Sequence, residues 1–121
     1  MKFLCLGYFD PDAMGGLPKA EIDALMMSCE PLVQELYKSG HLIFDAGLDL
    51  PTMSVRTRSG KLSATDGPFV ETKEVIGGVF VIEAYDMDDA IRVAALHPAA
   101  RMGEEYGWGL EIRPIRMFER R

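Results

Sequence analysis

Two short runs in this 121-residue chain lack a polar face: "FLCLGYF" (Phe3–Phe9) near the start and "VFVIEA" (Val79–Ala84) past the middle. A strand alternates its side chains between the two faces of a sheet, so a run that is apolar at both parities is buried on both sides. The pair therefore predicts two strands at the centre of one sheet. The rest of the chain has to supply the neighbouring strands and the layers above and below.

The intervening segments fit that demand. "DPDAMGGLP" is turn-rich and predicts a loop, with Pro18 suited to the first position of a helix. Ile22, Leu25, Met26, Cys29, Leu32, Val33 and Leu36 recur at helical spacing and predict one long amphipathic helix ending at Gly40. Pro31 lies inside it and costs about 3 kcal/mol in a helix interior. The apolar phase continues across it, which predicts a kink rather than two helices. "HLIFDAGL" predicts a strand, and "MSVRTRSGKLSATD" a polar hairpin turning at Ser59-Gly60. Asp86 is an N-cap for a second helix, "MDDAIRVAAL", stopped by Pro98. "GEEYGWG" predicts a loop and "LEIRPIRMF" a closing strand that Pro114 assigns to an edge.

The order is that of an α+β fold, ferredoxin-like βαββαβ with an extra hairpin, in a single domain spanning 1–121. In that topology the first strand and the strand before the second helix occupy the centre, which is where the two apolar runs fall. Two helices cover only one face of such a sheet. A second copy packed sheet face to sheet face is the simplest cover for the other, so a symmetric homodimer is expected.

Charge narrows the function classes. A net charge of −6 with scattered Lys and Arg argues against a nucleic-acid binder. No apolar segment approaches the roughly 20 residues of a membrane span. Cys5 and Cys29 form neither a metal-ligand pattern nor a disulfide framework, so a cytoplasmic location is expected. There is no phosphate-cradling glycine loop or dinucleotide fingerprint, so no tightly bound cofactor is expected and no metal site is assigned.

The chemistry-bearing residues cluster around "DGPFVETKEVIGG". Asp66-Gly67-Pro68 is turn chemistry; Glu71 and Lys73 point the same way on an extended segment; Gly77 and Gly78 permit close approach by a ligand or another segment. The stretch is either a solvated loop or the rim of a pocket. His97, after the second helix, is either a cationic cap on that helix's C-terminus or a general acid/base with Asp66 as its orienting carboxylate. Arg113 either pairs on the surface with Glu111 or Glu104 or, with Lys73 and Arg101, makes a small anionic-ligand site. His41 is read as structural, Cys29 as core, and Trp108 as lining a cleft mouth or stacking on a partner.

"DGPFVETKE", the apolar strand after it, a helix ending "HPAAR" and a final "EIRPI" together resemble the YCII-related family, in its DGPF-domain branch, over essentially the whole chain. The resemblance implies a dimeric α+β barrel. It also implies a neighbourhood of extracytoplasmic-function sigma factors, and thus a sigma factor as a partner. Other members resemble enzymes with a His-Asp pair whose His lies on the first helix; Cys29 stands at that point here, so that pair does not carry over. The expected function is small-molecule binding or acid/base catalysis on a small polar ligand, with Asp66 and His97 catalytic and Glu71, Lys73, Arg101 and Arg113 binding. The alternative is a non-catalytic interaction or sensory module in sigma-factor-dependent transcription.

Overall fold

The computed structural model describes residues 1–68 and 74–121. Among these the chain forms β1 (Lys2–Phe9), α1 (Pro11–Met14), α2 (Lys19–Lys38), β2 (Leu42–Gly47), β3 (Met53–Arg58) and β4 (Lys61–Asp66). It continues through β5 (Val75–Glu83), α3 (Met87–Ala94), α4 (Pro98–Arg101), α5 (Gly103–Tyr106) and β6 (Gly109–Pro114). The architecture is α+β with antiparallel sheets. The larger sheet runs β2-β5-β1-β6, and β3 and β4 form a separate two-stranded sheet.

The two apolar runs are the central strands. β1 pairs with β5 on one side and β6 on the other, while β5 also pairs with β2. Alternation then sorts their side chains. Phe3 and Cys5 of β1, with Phe80 and Ile82 of β5, pack against Leu36 of α2 and Ala90, Val93 and Ala94 of α3, forming the buried core. The opposite face carries Leu4 paired with Val81 and Leu6 with Val79. Proline at the end of β6 is tolerated because β6 is an edge strand.

Local chemistry explains the other boundaries. α2 runs unbroken through Pro31 and stops at Lys38, with Gly40 at φ +80° just beyond. The hairpin turns at Ser59 (φ +50°) and Gly60 (φ +76°), the paired positive angles of a tight turn whose twist matches its strands. Asp86 caps α3, its Oδ1 accepting from the Asp89 N–H at 2.8 Å.

Three expectations of regular structure are corrected. "DPDAMGGLP" contains the short helix α1, capped by Asp10 Oδ1 accepting from the Asp12 N–H. "GEEYGWG" contains α5, closed by Gly107 in the left-handed conformation. "HPAAR" does not end the second helix. The second helix, α3, ends at Ala94, and Pro98, well placed at a first helical position, starts another, α4. No helix among the described residues is long and apolar enough to cross a membrane.

A candidate ligand cavity under the second histidine

The helix-facing side of the sheet opens into a cavity of about 410 Å³ beside α2 and α4. Its floor follows from strand register. Gly7 of β1 is level with Gly78 of β5, and Gly78 is level with Gly47 of β2. All three line the cavity. They continue the parity of Cys5, Phe80 and Asp45, so on β2, β5 and β1 a glycine stands where this cross-strand row would aim a side chain at the helices, and the row ends on β6 at Leu110. A Cβ on Gly47 would meet nothing within 4 Å, and one on Gly7 nothing nearer than 3.6 Å. Gly77 leaves room for a different neighbour: a Cβ there would come within 2.7 Å of the Phe9 ring.

The walls are mostly apolar, with Met26 and Val33 from α2 and Trp108 before β6. Trp108 packs against Tyr106 at 5.3 Å between ring centroids, so the tryptophan belongs to the cavity wall. Cys29 also lines it, its Sγ 3.7 Å from Met102 Sδ. Burial raises the pKa of this thiol, which favours the thiol over the thiolate.

Two polar groups adjoin Phe80. The His97 ring stacks on the Phe80 ring, with centroids 4.7 Å apart and planes 9° apart. Asp45 is level with Phe80 on the neighbouring strand β2. The Tyr37 hydroxyl donates to Asp45 Oδ2 at 2.9 Å and orients the carboxylate. Glu30 also reaches the cavity, and its Oε1 accepts from Gln34 Nε2 at 2.9 Å.

The structure corrects the cap reading of His97. The residue is the N-cap of α4 and not a cationic cap on α3: Nδ1 accepts from the Ala99 N–H at 3.0 Å. An imidazole that accepts at Nδ1 carries its proton on Nε2. Burial lowers its pKa, while the Asp45 charge opposes the shift. The hydrogen bond of His97 is at Nδ1, and the residue lines the cavity. In this tautomer Nε2 is an N–H donor.

The other predicted site residues are dispersed. Asp66 lines a second cavity with Asp49, Thr52 and Pro68, and Phe9 and Leu48 border both. Arg101 pairs with Glu35 at 2.7 Å and ties α4 to α2. Arg113 is level with Leu4, on the sheet face opposite the core. Glu71 and Lys73 lie outside the described residues. His41 Nδ1 bonds the Glu83 carbonyl at 2.8 Å, joining the start of β2 to β5. The structure thus brings His97 together with Asp45 and Tyr37, neither of which stands out in the sequence. Among the described residues, no Lys or Arg lines the His97 cavity.

Residues 1–119 match the family model described as YCII-related domain. The chain is also similar to an uncharacterised protein of Rhizobium meliloti (strain 1021), 28% identical over 123 residues, covering 98% of this chain and 95% of the relative.

Proposed function

This chain belongs to the YCII-related domain family, and from that premise we propose that it binds a small molecule in the His97 cavity and works on it by acid/base chemistry as a homodimer. The carrying observation is the convergence of His97 and Asp45 on one largely apolar cavity of about 410 Å³. That volume lies within the usual range for small-molecule sites, and a few polar groups on an apolar wall are their usual composition. Within the family we assign the chain to the DGPF branch, on the motif beginning at Asp66-Gly67-Pro68. The strand order β2-β5-β1-β6 supports a ferredoxin-like arrangement.

The dimer reading rests on exposed apolar surface. Phe44 on β2 is 42% exposed, and the hairpin presents Met53, Val55 and Leu62, 59%, 51% and 76% exposed. Met53, Val55, Ala64 and Leu62 share one hairpin face by register, with Arg56, Arg58 and Lys61 on the other. A second copy seated on the sheet face and the apolar side of the hairpin would cover both.

The reading is tested with Trp108, the single tryptophan. A panel of small ketones, alcohols and carboxylic acids is titrated against its emission, with thermal melts alongside. A saturable emission change with a matching rise in melting temperature is expected for at least one neutral compound. If no compound produces both, the cavity is not a ligand site. Sedimentation should give twice the 13.4 kDa chain mass, and a stable monomer would remove the dimer from the reading.

A further inference from the structure

We infer that the cavity takes an uncharged ketone and removes a proton from the carbon beside its carbonyl, with Asp45 receiving the proton and His97 Nε2–H holding the carbonyl oxygen. This rests on the cavity being a ligand site.

The substrate class follows from the pairing of opposite functions. A carboxylate only accepts, and the Tyr37 hydroxyl is on Asp45 Oδ2, so the incoming proton is assigned to Oδ1. His97, with Nδ1 engaged by the Ala99 N–H, only donates. A carbonyl flanked by a C–H bond needs such a pair: a donor where negative charge develops and an acceptor for the proton. A neutral imidazole is suited to the first task, because it polarises the oxygen without giving up its own proton.

Charge and shape restrict the ligand further. The cavity wall carries the acidic Asp45 and Glu30 without Lys or Arg among its described residues, which disfavours carboxylate and phosphate substrates. The glycine row and the flat Phe80–His97 stack leave an open, apolar floor suited to a ring.

The step balances without a co-reactant. Asp45 Oδ1 takes the proton, the C–H electron pair becomes the new C=C bond, and the carbonyl π pair moves onto oxygen against Nε2–H. Return of the proton to the same carbon gives exchange. Return to a conjugated carbon gives isomerisation. Nothing is oxidised or reduced.

The test uses the full-length protein with cyclohexanone and 2-tetralone in D₂O. Binding is followed by Trp108 emission, and loss of the α-proton signal by NMR. Wild-type protein is expected to accelerate exchange above buffer. Asp45→Asn should slow it about 10²- to 10⁴-fold while still binding the ketone. His97→Gln and His97→Phe should each slow it about 10²- to 10³-fold, with melts confirming that α4 is intact in at least one. Ketone binding without accelerated exchange overturns the proton-transfer assignment and leaves the ligand site standing. Binding of alcohols or acids but not ketones overturns the substrate class. Loss of exchange in Glu30→Gln but not in Asp45→Asn overturns the role of Asp45. Failure of every compound to bind removes the site and this inference with it.

Discussion

Replacing Phe80 by Ala tests the core and the candidate site together. Phe80 is 1% exposed on central strand β5, it packs in the core, and its ring carries the His97 imidazole. Truncating a buried phenylalanine to alanine costs about 3–5 kcal/mol, from lost transfer energy and the cavity left behind. An unfolding entropy of about 2.1 cal/mol/K per residue gives roughly 0.25 kcal/mol/K for a chain of 121 residues. A loss of ~4 kcal/mol should then lower the melting temperature by about 16 °C. Phe80→Leu keeps most of the apolar volume but loses the ring stack, and should cost roughly 1–1.5 kcal/mol, or about 4–6 °C. The same substitution should act on His97. Burial lowers its pKa, so opening the site to water should move that pKa back up toward the ordinary imidazole value of 6.5. Calorimetry reads the first effect. An NMR titration reads the second, with His41, the other histidine, as the internal reference. An alanine variant that loses less than about 1 kcal/mol, or that leaves the His97 titration in place, would refute the claim that Phe80 is both core and platform.

Gly47→Ala should leave stability unchanged or raise it by up to about 1 kcal/mol, since a Cβ there meets nothing within 4 Å, yet weaken binding of any ligand resting on that floor; melts and Trp108 titrations separate the two. Asp86→Ala removes the bond from the Asp89 N–H and should cost about 1 kcal/mol in urea unfolding. A double-mutant cycle on Glu35 and Arg101 should return a coupling of only about 0.2–1 kcal/mol, because both side chains are partly solvated at 54% and 34% exposure. The His97 contribution to stability is complete above pH 6.5, the unfolded value, and declines as pH falls below it through the lowered native value, because the unfolded chain then binds the proton first. Melting curves across that window should therefore fall less steeply for His97→Gln than for wild type.

The central strands were legible because their signal is local. A run that is apolar at both parities needs no tertiary information to be placed inside a sheet, and β1 and β5 lie there. The Asp86 cap and the Ser59-Gly60 turn were legible for the same reason: a few adjacent residues suffice. The cavity depends on register between distant strands. Gly7, Gly47 and Gly78 become one row only after β1, β5 and β2 pair as they do. Asp45 is an ordinary strand aspartate until Phe80 comes level with it and His97 stacks on the same ring. The His97 cap was misread although a signal was present: a residue before proline favours extended backbone, and His97 is extended at φ −71°, ψ 141°. That dipeptide marks the start of α4 more directly than the end of α3. Asp66 was the natural choice beside a recognisable turn, but it borders the neighbouring cavity.

Because the glycine floor is made by the omission of side chains, relatives built on this backbone could change the size of molecule they admit one methyl at a time, at Gly47 or Gly7, without disturbing Asp45 or His97. The room above the floor and the polar groups on the wall would then vary on separate residues of the same chamber.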